Sequence, residues 1–551
     1  MKVAIAQLNP TVGDLDGNLA SALEAARLAE ERGADLVVYP AHVLTGAPLE
    51  GLASSAAFVA DAEAHLQRFV DACPIDALVS CITLAQQADE DLADGDEDEF
   101  VCVPAVYIVG EGSCEVLSIP VLEDADSCSM VEIDGENIAV LLEDHVAPES
   151  SLDSVELIVE MSADVFGEQT AAPAAWGAMG RLEQLARGNA AFVADVNLCG
   201  AADTMVYAGN STVTAPDGTL VYAAPVADEA LFVFDTQAEA APYDGADADM
   251  EPCAVLWEGV VAGTRDYIRK NGFADVVVGL SGGIDSAVVA AVAADAIGAE
   301  HVHAVLMPSK YSSEGSVTDA QQLVRNFGMD SVTVPINEPV EAFHRVLAEP
   351  CGGAVEGLAA ENLQARVRTV YLMTLSNAHG WLLLNTGNKS EAAMGFSTLY
   401  GDTAGAYAPI GDIYKTDVYA LAQWRIDQGP SIPQACVDKA PSAELYPGAT
   451  DQDRLPPYAQ LDDLLCDHIE GNMDAAELVA SGHDRAMVES VLRAVRVNEF
   501  KRRLEPMAPK IQGCSLSDDR AWPVTNGWRD ASADVRYCGT AANPIPIRKG
   551  I

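Results

Sequence analysis

Lysine is missing from nearly half of this 551-residue chain: none stands between Lys2 and Lys270. Bases of either kind are scarce there. Residues 1–250 carry 46 acidic and 6 basic side chains, and residues 251–551 carry 38 and 25, for a formal charge of −53 overall. So few cations cannot neutralise a run of phosphates, which excludes binding nucleic acid through a broad basic face. Long apolar runs are also lacking, and none reaches the roughly 18 residues of a membrane span. The opening MKVAIAQLNP has no apolar stretch of signal-peptide length. The 12 cysteines include no CxxC pair and no Cys/His cluster at zinc spacing. Free thiols in a reducing cytoplasm are therefore expected. With 49% hydrophobic and 21% charged residues the chain is not a disordered acidic tail. Its acidity has two open explanations, solubility and adaptation to high salt.

Two regions separate at Gln237–Pro252 (QAEAAPYDGADADMEP), an acidic, turn-rich stretch that reads as a linker. The expected division is 1–236, 237–252 and 253–551. Before the linker, VAIAQL at 3–8, DLVVYP at 35–40, DALVSCIT at 76–83, VPAVYIVG at 103–110, NIAVLL at 137–142 and ELIVEM at 156–161 are expected strands. Leu15–Arg32 and Ala175–Arg187 place apolar residues on one helical face. Residues 88–99 form a like-charge block, read as a solvated loop. After the linker, strand-like runs at 274–280, 301–307, 331–336 and 381–386 alternate with helical segments. That order predicts a parallel sheet wound with helices on both sides.

The first chemistry-bearing motif follows the 274–280 run: Ser281-Gly282-Gly283-Ile284-Asp285-Ser286, leading into an Ala/Val-rich helix. Two glycines let the backbone approach a ligand, and a helix N-terminus supplies oriented N–H groups. Ser281 and Ser286 add hydroxyls, so the loop is a phosphate pocket. Asp285 makes sense beside phosphates if it holds a bridging Mg²⁺. A purely structural turn would need the glycines but not this Ser/Asp/Ser set.

SGGxDS resembles the signature loop of the ATP pyrophosphatases, which cleave ATP to AMP and pyrophosphate while adenylating a substrate. MPSKYSSEGSVTDA (307–320), ENLQARVR (361–368), the block NTGNKSE to YALA (385–422) and KAPSAELYPGATDQDRLPPY (439–458) resemble NAD synthetase in the same order. The resemblance implies ATP and Mg²⁺, with deamido-NAD and ammonia as the other reactants. It places Asp285 and Glu391 on the metal and Lys415 on the phosphates. ATP would meet Ser281, Gly282, Gly283, Ser286 and Thr386, with Ser442 near the reacting phosphate. Arg366, Lys389, Lys439 and Lys501, with Arg502, would serve the dinucleotide. Asp402 would help place the nicotinate end and the incoming ammonia. Lys310 stands where many relatives have arginine, a point charge in place of a planar fork.

Residues 3–52 resemble the opening of a nitrilase-type amidohydrolase, which supplies ammonia from glutamine in two-domain NAD synthetases. The implied fold class is α/β: a nitrilase-like α-β-β-α sandwich followed by a doubly wound parallel sheet of the ATP pyrophosphatase type. Such a domain works with a Glu base, an oxyanion-stabilising Lys and a Cys nucleophile. Here YPExxLTG reads Tyr39-Pro40-Ala41-His42-Val43-Leu44-Thr45-Gly46, leaving Ala41 at the base position. The GVxICED-like stretch reads Ile138 to Asp144, with Leu142 at the nucleophile position. The best match for the lysine is Val116, ahead of Ile119-Pro120.

The expectation is a cytoplasmic homo-oligomer that makes NAD from deamido-NAD, ATP and ammonia, without a nucleic-acid or membrane partner. Its ammonia would be free or come from a separate glutaminase. The alternatives are an active glutamine-dependent NAD synthetase and another ATP pyrophosphatase amidoligase.

Overall fold

The computed structural model describes residues 1–86, 100–110, 112–118, 128–142, 152, 154–167, 177–245, 250–429 and 432–528. The acidic block at 88–99, Ile119-Pro120, Glu143-Asp144 and linker positions 246–249 lie outside these residues. Two compact units form, Met1–Ala262 and Gly263–Ile551.

In the first unit the strands are β1 (Lys2–Gln7), β2 (Leu36–Val38), β3 (Asp76–Gln86), β4 (Phe100–Gly110), β5 (Ser113–Ser118), β6 (Ser129–Ile133) and β7 (Glu136–Leu142). They continue as β8 (Leu157–Ser162), β9 (Phe192–Asn197), β10 (Cys199–Ala202), β11 (Met205–Ala208), β12 (Thr212–Thr214), β13 (Leu220–Ala223) and β14 (Ala230–Asp235). The helices are α1 (Leu15–Glu31), α2 (Ala56–Ala72) and α3 (Gly177–Asn189). One six-stranded sheet has the order β14-β1-β2-β3-β4-β5 and the other β13-β12-β9-β8-β7-β6. Strand alternation explains the layers. Val3, Ile5, Leu36 and Leu78 of the first sheet share an inter-sheet core with Ile138, Val140, Leu157 and Val159 of the second. The intervening residues Ala4, Ala6, Val37 and Val79 face outward onto α1 and α2. Ala139, Leu141, Ile158 and Val193 do the same onto α3. The result is the expected four-layer α-β-β-α sandwich. Part of the linker stretch is tied down: Tyr243 donates its N–H to Leu220 O at 2.8 Å, and its ring packs edge-on against Tyr222.

The helix α4 (Pro252–Lys270) precedes the strands of the second unit, β15 (Val276–Gly279), β16 (Val302–Leu306), β17 (Asp330–Thr333) and β18 (Leu382–Leu383). All pair in parallel, in the order β17-β16-β15-β18. The other helices are α5 (Ile284–Ile297), α6 (Glu314–Phe327), α7 (Asn337–Leu347), α8 (Leu358–His379), α9 (Lys389–Met394) and α10 (Lys415–Asp427). They are followed by α11 (Gln434–Asp438), α12 (Tyr458–Ile469), α13 (Ala475–Ser481), α14 (Arg485–Val497) and α15 (Glu499–Arg502). Val277, Val305 and Leu383 pack with Leu363, Tyr371 and Leu372 of α8. Val276, Val278 and Ala304, the alternate positions, are equally buried. The chain runs outward from β15 to β17, then returns to lay β18 on the other side of β15. That reversal opens a crevice at the carboxyl ends of β15 and β18, where ligands bind in open α/β sheets. The SGGIDS loop leaves β15 and the NTGNKSE segment leaves β18, so both motifs enter one crevice.

Candidate active site

The crevice opens into a cavity of about 1590 Å³. Ser281, Gly283, Asp285, Ser286, Thr386, Glu391, Asp402, Lys415, Lys439, Ser442 and Lys501 all line it. The loop is held by its own serines. Ser281 and Ser286 hydroxyls lie 3.1 Å apart, and the Ser281 hydroxyl accepts from the Gly283 N–H at 3.1 Å. The Ser286 hydroxyl donates to Gly283 O at 3.1 Å. Gly282 adopts φ +83°, and a Cβ there would lie 2.0 Å from Ser316 O.

Asp285, in the first turn of α5, meets two partners. The Lys415 ammonium donates to Asp285 Oδ2 at 2.6 Å and to Glu391 Oε1 at 3.1 Å. Asn388 donates from Nδ2 to Asp285 Oδ1 at 3.0 Å, while its Oδ1 caps α9 by accepting from the Glu391 N–H at 3.0 Å. Lys415 is almost fully buried. Burial alone would push its ammonium down, but Asp285 and Glu391 outweigh this, so it stays protonated. Burial pushes Glu391 up, aided by Asp285 and Asp451 and opposed by Lys415. Two carboxylate oxygens thus converge on one positive group, and that donor set suits Mg²⁺, which keeps waters and takes one or two carboxylates plus phosphates. Among the described residues no group of three or more His, Cys, Asp or Glu could hold a metal. Phosphate oxygens would have to complete the shell.

The remaining expected residues divide. Lys439 braces the phosphate loop, donating to Gly282 O at 3.2 Å and Ser316 Oγ at 3.0 Å, and pairs with Asp319 at 2.7 Å. Lys501 donates to Gly395 O at 2.8 Å and Ser397 O at 2.7 Å. The Ser442 hydroxyl donates to Ala449 O at 2.6 Å and shapes its turn. Asp402 accepts from the Thr398 N–H at 2.5 Å. It faces the cavity, yet surrounding protein atoms push its carboxyl up to about 6, with Thr398 and Lys501 acting the other way.

Lys389 is not brought to the cavity. Its fully buried ammonium pairs with Asp412 at 2.9 Å and Glu470 at 2.7 Å and donates to Cys514 O at 2.8 Å. Arg366 is likewise absent from the lining; its Nε donates to Leu399 O at 3.1 Å. Arg502 is buried against Glu499 at 2.8 Å and carbonyls of the helical layer. Lys310 is exposed, its ammonium 4.9 Å from the Tyr311 ring centroid. Residues the sequence reading missed are Arg368, Asn388 and Asp462. Asn388 carried a readable signal, an Asn three residues before a Glu at a helix start. Arg368 stands two positions from Arg366, roughly 200° around the same helix, so one faces the cavity and the other cannot.

In the first unit Ala41 and Leu142 are both buried in the inter-sheet core cluster. Val116 stands apart, 49% exposed. The neighbouring Leu117 packs against that cluster instead, because Val116 stands opposite Tyr107, whose side chain belongs to the helix-facing core, and successive strand residues face opposite sides. Cys81 belongs to the opposite, helix-facing core, and burial pushes its thiol up to about 12. None of the eleven cysteines among the described residues is in a disulfide.

The family description NAD synthase matches residues 256–505, and Carbon-nitrogen hydrolase matches residues 2–87. The chain is 35% identical to the glutamine-dependent NAD(+) synthetase of Thermotoga maritima, covering 96% of this chain and 99% of that protein. The protein of the same name from Rhodobacter capsulatus is also 35% identical, with the same coverage. The solved structure of glutamine-dependent NAD+ synthetase from Acinetobacter baumannii, in complex with ADP, is 30% identical with a TM-score of 0.69, covering 96% of this chain and 99% of that one.

Proposed function

The chain belongs to the NAD synthetase family, ligases that form a carbon–nitrogen bond, and from that premise we propose that it adenylates deamido-NAD with ATP and lets ammonia displace AMP, without hydrolysing glutamine itself. Carboxylate and ammonia at neutral pH give only a salt, so the acid must first become a mixed anhydride with a good leaving group. Two anions then meet, and their repulsion must be offset by fixed positive groups. The Lys415 ammonium between Asp285 and Glu391 supplies one, buried where its charge acts strongly. The SGGIDS loop and the N-terminus of α5 offer N–H and hydroxyl donors to the phosphates. Magnesium, when bound at Asp285 and Glu391, would neutralise phosphate charge and help pyrophosphate leave. Asp402, held by Thr398 and lining the cavity, would orient the acceptor and the incoming nitrogen. Cysteines held outside disulfides among the described residues support a cytoplasmic protein; a homo-oligomer remains the expectation.

The nitrogen source rests on one observation: Ala41 and Leu142 occupy the base and nucleophile positions, and no lysine stands between 2 and 270 to act as the oxyanion cation. Alanine and leucine have no proton to move and no electron pair to give. A second reading, glutamine as the nitrogen donor, is favoured by the names of the relatives. It would require another nucleophile, and Cys81 is unsuited because it faces the helical layer and is held as a neutral thiol. The deciding experiment compares NAD formation by the pure protein with ammonium and with glutamine. Turnover with ammonium alone is expected; efficient turnover with glutamine would establish the second reading.

A further inference from the structure

Arg368 of α8 is fastened at a single atom. Its Nε donates to Met307 O at 3.2 Å, just beyond the carboxyl end of β16. The other four of its five N–H donors make no hydrogen bond or ion pair among the described residues, and the side chain lines the cavity. Lys415, Arg502 and Lys501 of the cavity are already engaged: Lys415 by Asp285 and Glu391, Arg502 by Glu499, and Lys501 by two carbonyls. A half-buried guanidinium that lines a cavity with four donors unmet is set to receive an anion that accepts from them. Burial lowers it only to about 10, so it remains charged at neutral pH.

Its neighbours say where that anion would sit. Glu444 and Asp402 both act on the Arg368 charge. Glu444 is bonded to Ser316, the residue against which Gly282 packs. Arg368 therefore shares the cavity, within electrostatic reach, with both Glu444 on the flank of the phosphate loop and Asp402.

The geometry points to Arg368 as a direct oxyanion-binding residue at the junction where the reacting phosphate of ATP meets the carboxylate of the acceptor. The assignment rests on the proposed function above. A planar fork with both amino groups free can bridge two oxygens of one group, or one oxygen from each reactant. Because charge is redistributed there as the anhydride forms and pyrophosphate leaves, its loss falls mainly on kcat.

Arg368→Gln keeps an amide able to reach Met307 O but removes the charge; Arg368→Lys keeps the charge but not the fork. Steady-state pyrophosphate release gives kcat and both KM values, and calorimetric titrations with ADP and with deamido-NAD report binding separately. Arg368→Gln is expected to lower kcat by about 10²–10³-fold, with Arg368→Lys losing less. A weaker ADP isotherm identifies phosphate as the anion held before reaction, and a weaker deamido-NAD isotherm identifies the carboxylate. If kcat and both KM values stay within threefold of wild type, the assignment is wrong. It is equally wrong if the Gln and Lys variants lose activity to the same extent and melt at lower temperature, since that marks a packing role. Should Arg368→Gln not fold, Arg368→Lys is judged by the same readouts. A wild-type protein that releases no pyrophosphate with deamido-NAD would overturn the functional reading, while the ADP titrations would still test Arg368.

Discussion

Gly282→Ala tests the phosphate loop most sharply, because two independent obstacles fall on one methyl group. The backbone there has φ +83°, and the added Cβ would lie 2.0 Å from Ser316 O and 2.7 Å from Ser316 C. A left-handed conformation costs an L-residue roughly 1–2 kcal/mol. Relieving the overlap means moving the first turn of α6, which is pinned. Ser316 N–H donates to Ser313 Oγ at 3.1 Å, its hydroxyl donates to Glu444 at 2.8 Å, and Lys439 donates to that hydroxyl at 3.0 Å. Loosening one or two such bonds adds about 1 kcal/mol each. The loop of the variant should thus be displaced at a cost of roughly 2–4 kcal/mol, which at 1.4 kcal/mol per tenfold is about 10–10³ in ATP affinity. Calorimetric titration with ADP and the ATP dependence of pyrophosphate release measure it. Gly283→Ala is the control, since its Cβ would meet only Ser281 Oγ at 3.3 Å with no positive φ; an effect under tenfold is expected. ADP affinity within threefold of wild type in Gly282→Ala, with unchanged melting, would refute the packing argument.

Lys415→Met leaves Asp285 and Glu391 facing each other without their cation, and removing one member of such a buried cluster destabilises by about 3 kcal/mol. Added Mg²⁺ should raise the melting temperature of this variant more than that of wild type; equal shifts would contradict the metal assignment. Asp462→Ala should disorder the start of α10. Asp462 Oδ2 accepts from the Thr416 N–H at 2.8 Å, and its Oδ1 accepts from Ser390, whose hydroxyl accepts from the Lys415 N–H at 2.9 Å. A loss near tenfold or more in kcat, largely rescued in Asp462→Asn, is expected, since small misplacements of reacting groups are amplified; no difference between Ala and Asn would sink the clamp. In the first unit, burial beside Glu160 and Asp164 pushes Asp195 up to about 8, while its unfolded value is near 4. The folded state then holds a proton that the unfolded state releases between those values, so the contribution of Asp195 to stability is full below pH 4 and is lost as pH rises through about 8. Thermal unfolding between pH 5 and 8 should show a flatter profile for Asp195→Asn than for wild type; identical slopes would rule Asp195 out as the cause.

Much of the architecture was legible because each sheet buries both faces. Residues 3–6, 77–79 and 276–278 are apolar without interruption, as strands covered on two sides require. Short pieces such as β10 to β13 escaped notice, since three or four residues carry too little periodicity to read. Phosphate-loop residues were legible for a different reason: glycine and hydroxyl requirements are local, so Ser281, Gly282 and Ser286 announce themselves in six consecutive positions.

Side-chain direction was not legible. Lys389 and Glu391 are two apart on α9, and so are Arg366 and Arg368 on α8; residues so spaced face opposite ways around a helix. Composition and motif mark all four as chemically capable, but only the packing of α9 against Asp412 and Glu470 turns Lys389 inward. The same holds for Val116, which stands opposite Tyr107 on the edge strand β5 and is left exposed.

By itself the sequence determined which groups the first unit lacks: alanine stands at 41 and leucine at 142, where the resemblance expects a base and a nucleophile, and no lysine stands from 3 to 269. Tertiary structure decided which of the second unit's cations are free to act. Whether Lys389, Lys501 or Arg368 can grip a substrate depends on which acceptors surround it, and these come from segments up to 125 residues away in the chain. Absence of a functional group is a property of the chain, whereas availability of one is a property of its neighbours.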